Sequence, residues 1–211
     1  MKRVIGVFKR FGFKYSLNFL LIRFICLFRI ALWKNIFSNN NPVLNNVKMK
    51  QATQFVGHGK IKVNGAFLGV WPSPYLINGV SYLEAREKEA SVIIEEGTCI
   101  NNNFVIISDK EKVVIGKRCM IGPNFFATDS DFHGLEVENR LTREYKCSPV
   151  IIGDDVFIGF DVKVMKGVTI GSGSVIGSGS VVVSDVEPNS VYAGVPAKII
   201  RKLNNSNGKN N

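Results

Sequence analysis

The sequence predicts an all-β chain wound as a parallel β-helix, and two regularities lead there. From Ile152 the residues fall into blocks of six: "IGDDVF", "IGFDVK", "VMKGVT", "IGSGSV", "IGSGSV" and "VVSDVE". Each block opens with Ile or Val, four have Gly second, and the fifth position is always Val or Ser. A short repeat in strict phase is the mark of a solenoid. The opening aliphatic residue points inward and stacks on its equivalent one turn away. The fifth also faces inward and is kept small by a narrow interior. Gly in second place suits a corner, where its backbone accepts angles other residues resist. Three blocks then make one triangular turn, with the ladder bonds running between coils. A propeller needs units of about 40 residues, and a Gly-rich phosphate loop occurs once rather than in phase with its neighbours.

The register extends upstream. "IEEGTC" (94–99) and "INNNFV" (100–105) fit, "IISDKE" (106–111) fits less well, and after a phase shift come "IGKRCM" (115–120) and "IGPNFF" (121–126). Cys119 then occupies an inward position. "VGHGKI", "KVNGAF" and "LGVWPS" (56–73) read as an earlier, irregular coil, with His58 at a corner. The β-helix is expected over 52–203, followed by a polar, disordered tail at 204–211. Within it the register runs to Ala127 and resumes at Ile152, leaving a projecting loop at about 128–151 that contains "TDSDFHGLEVENR".

Charge separates the N-terminal part from the rest. Residues 1–83 contain twelve Lys or Arg and no acid, whereas 84–211 contain fifteen basic and seventeen acidic residues. Such asymmetry points to a polyanionic surface. Residues 1–37 hold seven Phe and eight Lys or Arg, which favours membrane over nucleic acid, for which no recognition motif is present. "FLLIRFICLFRIALW" (19–33) is interrupted by Arg23 and Arg29, so it reads as a poor spanning helix. It also lacks the cleavage site of a secretory signal. The segment 1–51 is therefore expected to be a basic amphipathic helix. It lies on an anionic membrane surface, or packs on its own domain or a neighbouring subunit. Cys26, Cys99, Cys119 and Cys147 form no CxxC pair and read as reduced thiols of a cytoplasmic protein. Two histidines cannot make a three-histidine zinc site within one chain, so no metal is expected.

Residues 150–203, ending in "EPNSVYAGVPAKIIRK", resemble the hexapeptide-repeat acyltransferases. The similarity is greatest to the maltose and galactoside O-acetyltransferases and to acetyltransferases of bacterial surface polysaccharides. It is good over about 92–203, faint over 52–91 and absent over 1–51. The resemblance implies a left-handed coil, against the usual crossover hand. It also implies a homotrimer with active sites between subunits and acetyl-CoA as donor.

In the family a loop at the break carries the catalytic histidine, and His133 matches it. Transfer from a thioester to an alcohol needs a base of near-neutral pKa, for which histidine is the natural choice, and donors aimed at the developing oxyanion. Asp131 or Glu136 is expected to orient the imidazole. "DSDFHG" is closer to the polysaccharide-modifying enzymes than to the maltose type, which favours a surface glycan or lipid-linked precursor as acceptor. Asn101 aligns with a family active-site asparagine, with Asn103 the next candidate. A plain corner ladder of asparagines is the alternative. For the donor the resemblance implies Phe157, Gly159, Ser178, Lys198 and Arg201, the two cations facing the CoA phosphates. Phe157 stands where the family often has Trp, so an indole donor is lost. Val183-Ser184 replaces a "TK" pair, a loss for which Lys202 offers compensation.

Two other functions compete with O-acetylation of a glycan. One is N-acetylation of a nucleotide-linked amino sugar, though residues 1–51 lack the nucleotide-binding unit such enzymes carry. The other is a non-catalytic β-helix scaffold.

Overall fold

A computed structural model describes residues 13–142 and 144–204. Residues 1–12 of the expected N-terminal segment and 205–211 of the expected tail lie outside the described residues. Among the described residues, helix α1 (Phe13–Asn35) precedes a three-faced parallel β-helix. Face 1 stacks Val43–Asn45, Lys60–Asn64, Ser91–Ile94, Lys112–Ile115, Val150–Ile152 and Thr169–Ile170. Face 2 runs from Lys48–Met49 through Phe67–Leu68, Cys99–Ile100, Met120–Ile121 and Phe157–Ile158 to Val175–Ile176. Face 3 carries Thr53–Val56, Ser81–Ala85, Val105–Ser108, Phe126–Thr128, Lys163–Val164 and Val181–Val182. Face 2 continues with Ser190–Gly194, against which Ala197–Lys202 folds back antiparallel. The coil thus begins at Val43, inside the stretch assigned to the N-terminal segment.

The repeat's inward positions hold. Ile152, Ile158, Val164, Ile170, Ile176 and Val182 are buried, as are the fifth-position residues Val156, Val162, Val168, Ser174, Ser180 and Val186. The fifth position is not restricted to small residues upstream, where Phe104 and Phe125 occupy it and are fully buried. Core volume is shared around a coil: the fourth coil combines Phe125 with Cys119 and Ala127. Cys119 is inward as expected, and burial raises its thiol pKa.

The three edges differ. Between faces 3 and 1 the regular step is Val164 to Ile170, but earlier coils lengthen it: Leu83 to Ile94, Ile106 to Ile115, and Ala127 to Ile152. The phase shift read from the sequence is the second of these. His58 sits at the same edge, exposed, in the bend that follows Gly57. Gly57 has φ +100, and a Cβ there would fall 1.9 Å from the Ala85 carbonyl oxygen, so the bend requires glycine.

A second excursion, residues 69–80, leaves the edge between faces 2 and 3. Asn102, fully buried, holds it. Its Nδ2 donates to the carbonyls of Val70 (3.0 Å) and Pro74 (2.8 Å), and its Oδ1 accepts from the Val70 N–H. Asn102→Ala should cost about 1–3 kcal/mol, because the amide that ties the excursion to the coil is lost and the Val70 and Pro74 backbone groups lose their partner at once. Chemical denaturation measures this directly.

Helix α1 is apolar on two sides. Phe19, Ile22, Cys26 and Ile30 face the first coils, and Arg29 donates to the Gly79 carbonyl at 2.8 Å. Leu17, Leu21, Phe24 and Phe28, spaced on one helical stripe, are exposed. Ser16–Asn35 is long and apolar enough to cross a membrane by length and composition, despite Arg23 and Arg29. Arg29 and the inner stripe contact the coil.

Candidate active site

The main loop, residues 129–149, leaves face 3 after the fourth coil and returns to face 1. Its base is fixed by two buried carboxylates. Asp129, fully buried, accepts from the N–H groups of Asp109 (2.7 Å), Lys110 (3.3 Å) and Glu111 (2.8 Å) and from the Ser108 hydroxyl (3.1 Å). The lengthened turn 108–111 is thus a backbone nest filled by the first residue of the loop. Asp109, also fully buried, accepts from Ser130 Oγ at 2.9 Å and pairs with Arg86 at 3.3 Å. Arg86 also pairs with Glu84 at 2.8 Å, and its guanidinium lies 5.0 Å from the centroid of the Phe132 ring.

Tyr82 donates to Glu84 in this network (3.0 Å). Desolvation, then the Glu84 charge and the hydrogen bond to it, push its phenol up to about 12. A raised pKa favours the fold below the ordinary phenol value of about 10, and that stabilisation is lost as pH rises through about 12. Denaturation profiles should therefore fall above pH ~10 in the native sequence and fall less in Tyr82→Phe.

His133 follows this anchored base. Phe132 takes a left-handed conformation (φ 63), and its N–H donates to Ser130 Oγ at 2.9 Å. Gly134 then allows the chain to close on itself, since a Cβ there would meet Asn139 at 2.6 Å. The return brings the Arg140 carbonyl oxygen 2.9 Å from His133 Nδ1. A carbonyl oxygen only accepts, so Nδ1 carries the proton in this contact. In the neutral imidazole Nε2 is then the unprotonated nitrogen, on an exposed ring. The contact that orients the ring is the Arg140 carbonyl. Asp131 instead pairs with Lys166 at 3.3 Å, while its N–H donates to the Lys146 carbonyl. Glu136 precedes the short 3-10 turn Val137–Asn139.

Asn101 lies at the edge between faces 2 and 3. Gly69, Asn101, Gly122, Gly159 and Gly177 follow the stacked residues Leu68, Ile100, Ile121, Ile158 and Ile176. A Cβ on Gly122 would come within 2.6 Å of the Gly159 carbonyl oxygen, so the coils close tightly there. Asn101 is the one side chain larger than hydrogen among these five. Its Oδ1 accepts from the Asn102 N–H at 2.8 Å, and its Nδ2 has no acceptor among the described residues. The corner ladder falls to other residues: Asn103 donates to Asn124 (3.0 Å), which donates to Asp161 (2.6 Å), all three left-handed.

The residues assigned to the donor share face 2 and this same edge. Phe157 projects outward beside Met120, both exposed. Gly159 lies under Ser178, to whose Oγ a Cβ would approach within 2.6 Å. Ser178 accepts from the Phe160 N–H at 3.1 Å. Lys198 and Arg201 lie on the antiparallel terminal strand, exposed and without a carboxylate partner among the described residues. Lys202 pairs with Glu187 at 2.9 Å, so it is already engaged. The structure therefore gathers Asn101, Phe157, Gly159, Ser178, Lys198 and Arg201 along one face and edge. It places His133 on the loop from a different edge. Asn102, Asp109 and Asp129 escaped the sequence reading.

Residues 149–184 match the family model for the bacterial transferase hexapeptide (six repeats). Over these residues the chain carries the bacterial transferase hexapeptide repeat. It is 42% identical over 104 residues to the galactoside O-acetyltransferase of Escherichia coli, covering 49% of this chain and 50% of that protein. The chain spans about half the length of the curated relatives it matches. Among solved structures, the polySia-specific acetyltransferase NeuO is 29% identical, with a TM-score of 0.62 and coverage of 82% of this chain and 72% of NeuO. The polysialic acid O-acetyltransferase OatWY is 27% identical, with a TM-score of 0.53 and coverage of 76% and 72%. The hexapeptide chain thus shares its coil, in the left-handed form, with sugar-modifying acetyltransferases.

Proposed function

We propose that this hexapeptide-repeat chain transfers an acetyl group from acetyl-CoA to a hydroxyl of a bacterial surface glycan or its lipid-linked precursor. The observation that carries the reading is the His133 contact with the Arg140 carbonyl, which leaves Nε2 as a base on a rigidly mounted loop. Nε2 takes the acceptor hydroxyl proton as its oxygen attacks the thioester carbonyl. The carbon–sulfur bond then breaks, and the proton passes to the CoA thiolate. Asn101 Nδ2 donates to the developing oxyanion or holds the acceptor hydroxyl. Phe157 supplies an apolar wall for the acetyl group, Gly159 and Ser178 line the path of the pantetheine arm, and Lys198 and Arg201 meet the phosphates. Asp131, held by Lys166, positions the start of the His133 turn.

Donor residues and His133 occupy different edges of one prism, which supports a homotrimer whose sites combine two subunits. Leu135, Val137 and Leu141 on the loop are exposed, as is Met120 on face 2, so each surface offers apolar contact to a neighbour. Similarity to two polysialic acid acetyltransferases supports a glycan acceptor. Helix α1, with its exposed apolar stripe and basic residues, supports attachment at the inner face of the plasma membrane. Incubating the trimer with acetyl-CoA and glycan fragments, then testing for a base-labile ester, decides the reaction. A base-stable amide would favour amino-sugar N-acetylation, and no product with any acceptor would favour a scaffold.

A further inference from the structure

Between α1 and the first coils lies a cavity of about 330 Å³, lined by Phe19, Ile22, Cys26, Met49, Trp71 and Leu76, with Arg23 and Lys50 also in its wall. Its volume lies in the range of ligand sites, ~300–1,000 Å³. Neither cation has a carboxylate partner among the described residues. No acid occurs before Glu84 in the sequence, and none lines the cavity. The helix that forms one wall turns its other side, Leu17, Leu21, Phe24 and Phe28, outward. An apolar slot with positive charge at its wall, beside an apolar surface, matches a molecule that is itself apolar along its length and anionic at one end.

We propose that this slot seats an acyl chain of an anionic membrane phospholipid, with the lipid phosphate held by Arg23 and Lys50. The outer stripe of α1 enters the bilayer surface beside the same lipid. The inner wall takes the chain because the Trp71 ring and the Met49 and Leu76 side chains offer apolar area. The cations snorkel to the headgroup level, as long basic side chains do at an interface. Seating deepens the membrane reading of α1 and does not depend on acetyl transfer.

The chain has two tryptophans, Trp33 and Trp71, so Trp33→Phe leaves one reporter in the slot wall. Vesicles of phosphatidylglycerol brominated on the acyl chains should quench Trp71 fluorescence in the full-length trimer. Brominated phosphatidylcholine should quench it much less, and inorganic phosphate at millimolar level should not relieve the quenching. In the same background, Arg23→Glu with Lys50→Glu should lower vesicle affinity by at least about tenfold while leaving the circular dichroism spectrum unchanged. Vesicle co-sedimentation without Trp71 quenching would overturn the slot and leave membrane attachment standing. No co-sedimentation would overturn both. Concentration-dependent association beyond the trimer, with Trp71 shielded in the absence of lipid, would assign the slot to a second copy of the chain and overturn the proposal.

Discussion

His133→Ala is expected to lower kcat/KM for acetyl transfer by about 10²–10⁴-fold, the usual contribution of a positioned general base. The ring is exposed and makes one described contact, Nδ1 to the Arg140 carbonyl, so its removal should leave the coil and its association unchanged. Size-exclusion mass and thermal unfolding of the variant test the second part, and a coupled assay of thiol release tests the first. His133→Gln keeps a polar side chain but supplies no base, and should be as inactive as His133→Ala. Near-normal turnover in either variant would remove His133 from the mechanism.

Asp129→Ala should be the most damaging single change to the fold near the site. The carboxylate fills the nest made by three backbone N–H groups and a hydroxyl at the base of the loop, where Ser108, Asp109 and Asp129 itself are fully buried. Removing it strands those donors and frees the loop start, and breaking such a buried charged network costs about 3–5 kcal/mol. Asp129→Asn keeps the size but offers a single acceptor oxygen and brings two unwanted donors, so it should recover only part of the loss. Urea denaturation gives the stability change. Hydrogen exchange should show lost protection at 108–111 and 129–132 before the remaining coils respond. If His133 acts as proposed, transfer falls in both variants because the loop that carries it is no longer held.

The coil was legible because a periodic constraint repeats itself in sequence. Each inward position meets the same geometry, so Ile152 through Val182 announce themselves. His133 was legible for the opposite reason, as a histidine placed where the period stops. The anchors were not legible, since their partners are fixed by three-dimensional closure rather than spacing. Asp129 reads as one more polar loop residue until the turn at 108–111 is seen to aim its N–H groups at it. Asn102 looked like part of "INNN", yet it is the asparagine that holds 69–80, while its neighbours Asn101 and Asn103 face other partners. Phe104 and Phe125 broke the rule of small fifth positions because filling a section of the core depends on all the residues of a coil together.

The strand register carries a consequence for how this chain comes together and apart. In the last coils each strand pairs with one a single turn away, as Phe157 does with Val175, so ordering one turn templates the next with little chain to organise. The pairing of Met120 with Phe157 must close over the whole excursion between them. That junction is the entropic seam of the solenoid, although the penalty of a longer closure grows slowly with length. Pulled from its ends, the prism should unwind turn by turn and yield early at this seam. The buried carboxylates at the loop base act there as a clasp, letting a stack of near-identical turns tolerate one long interruption.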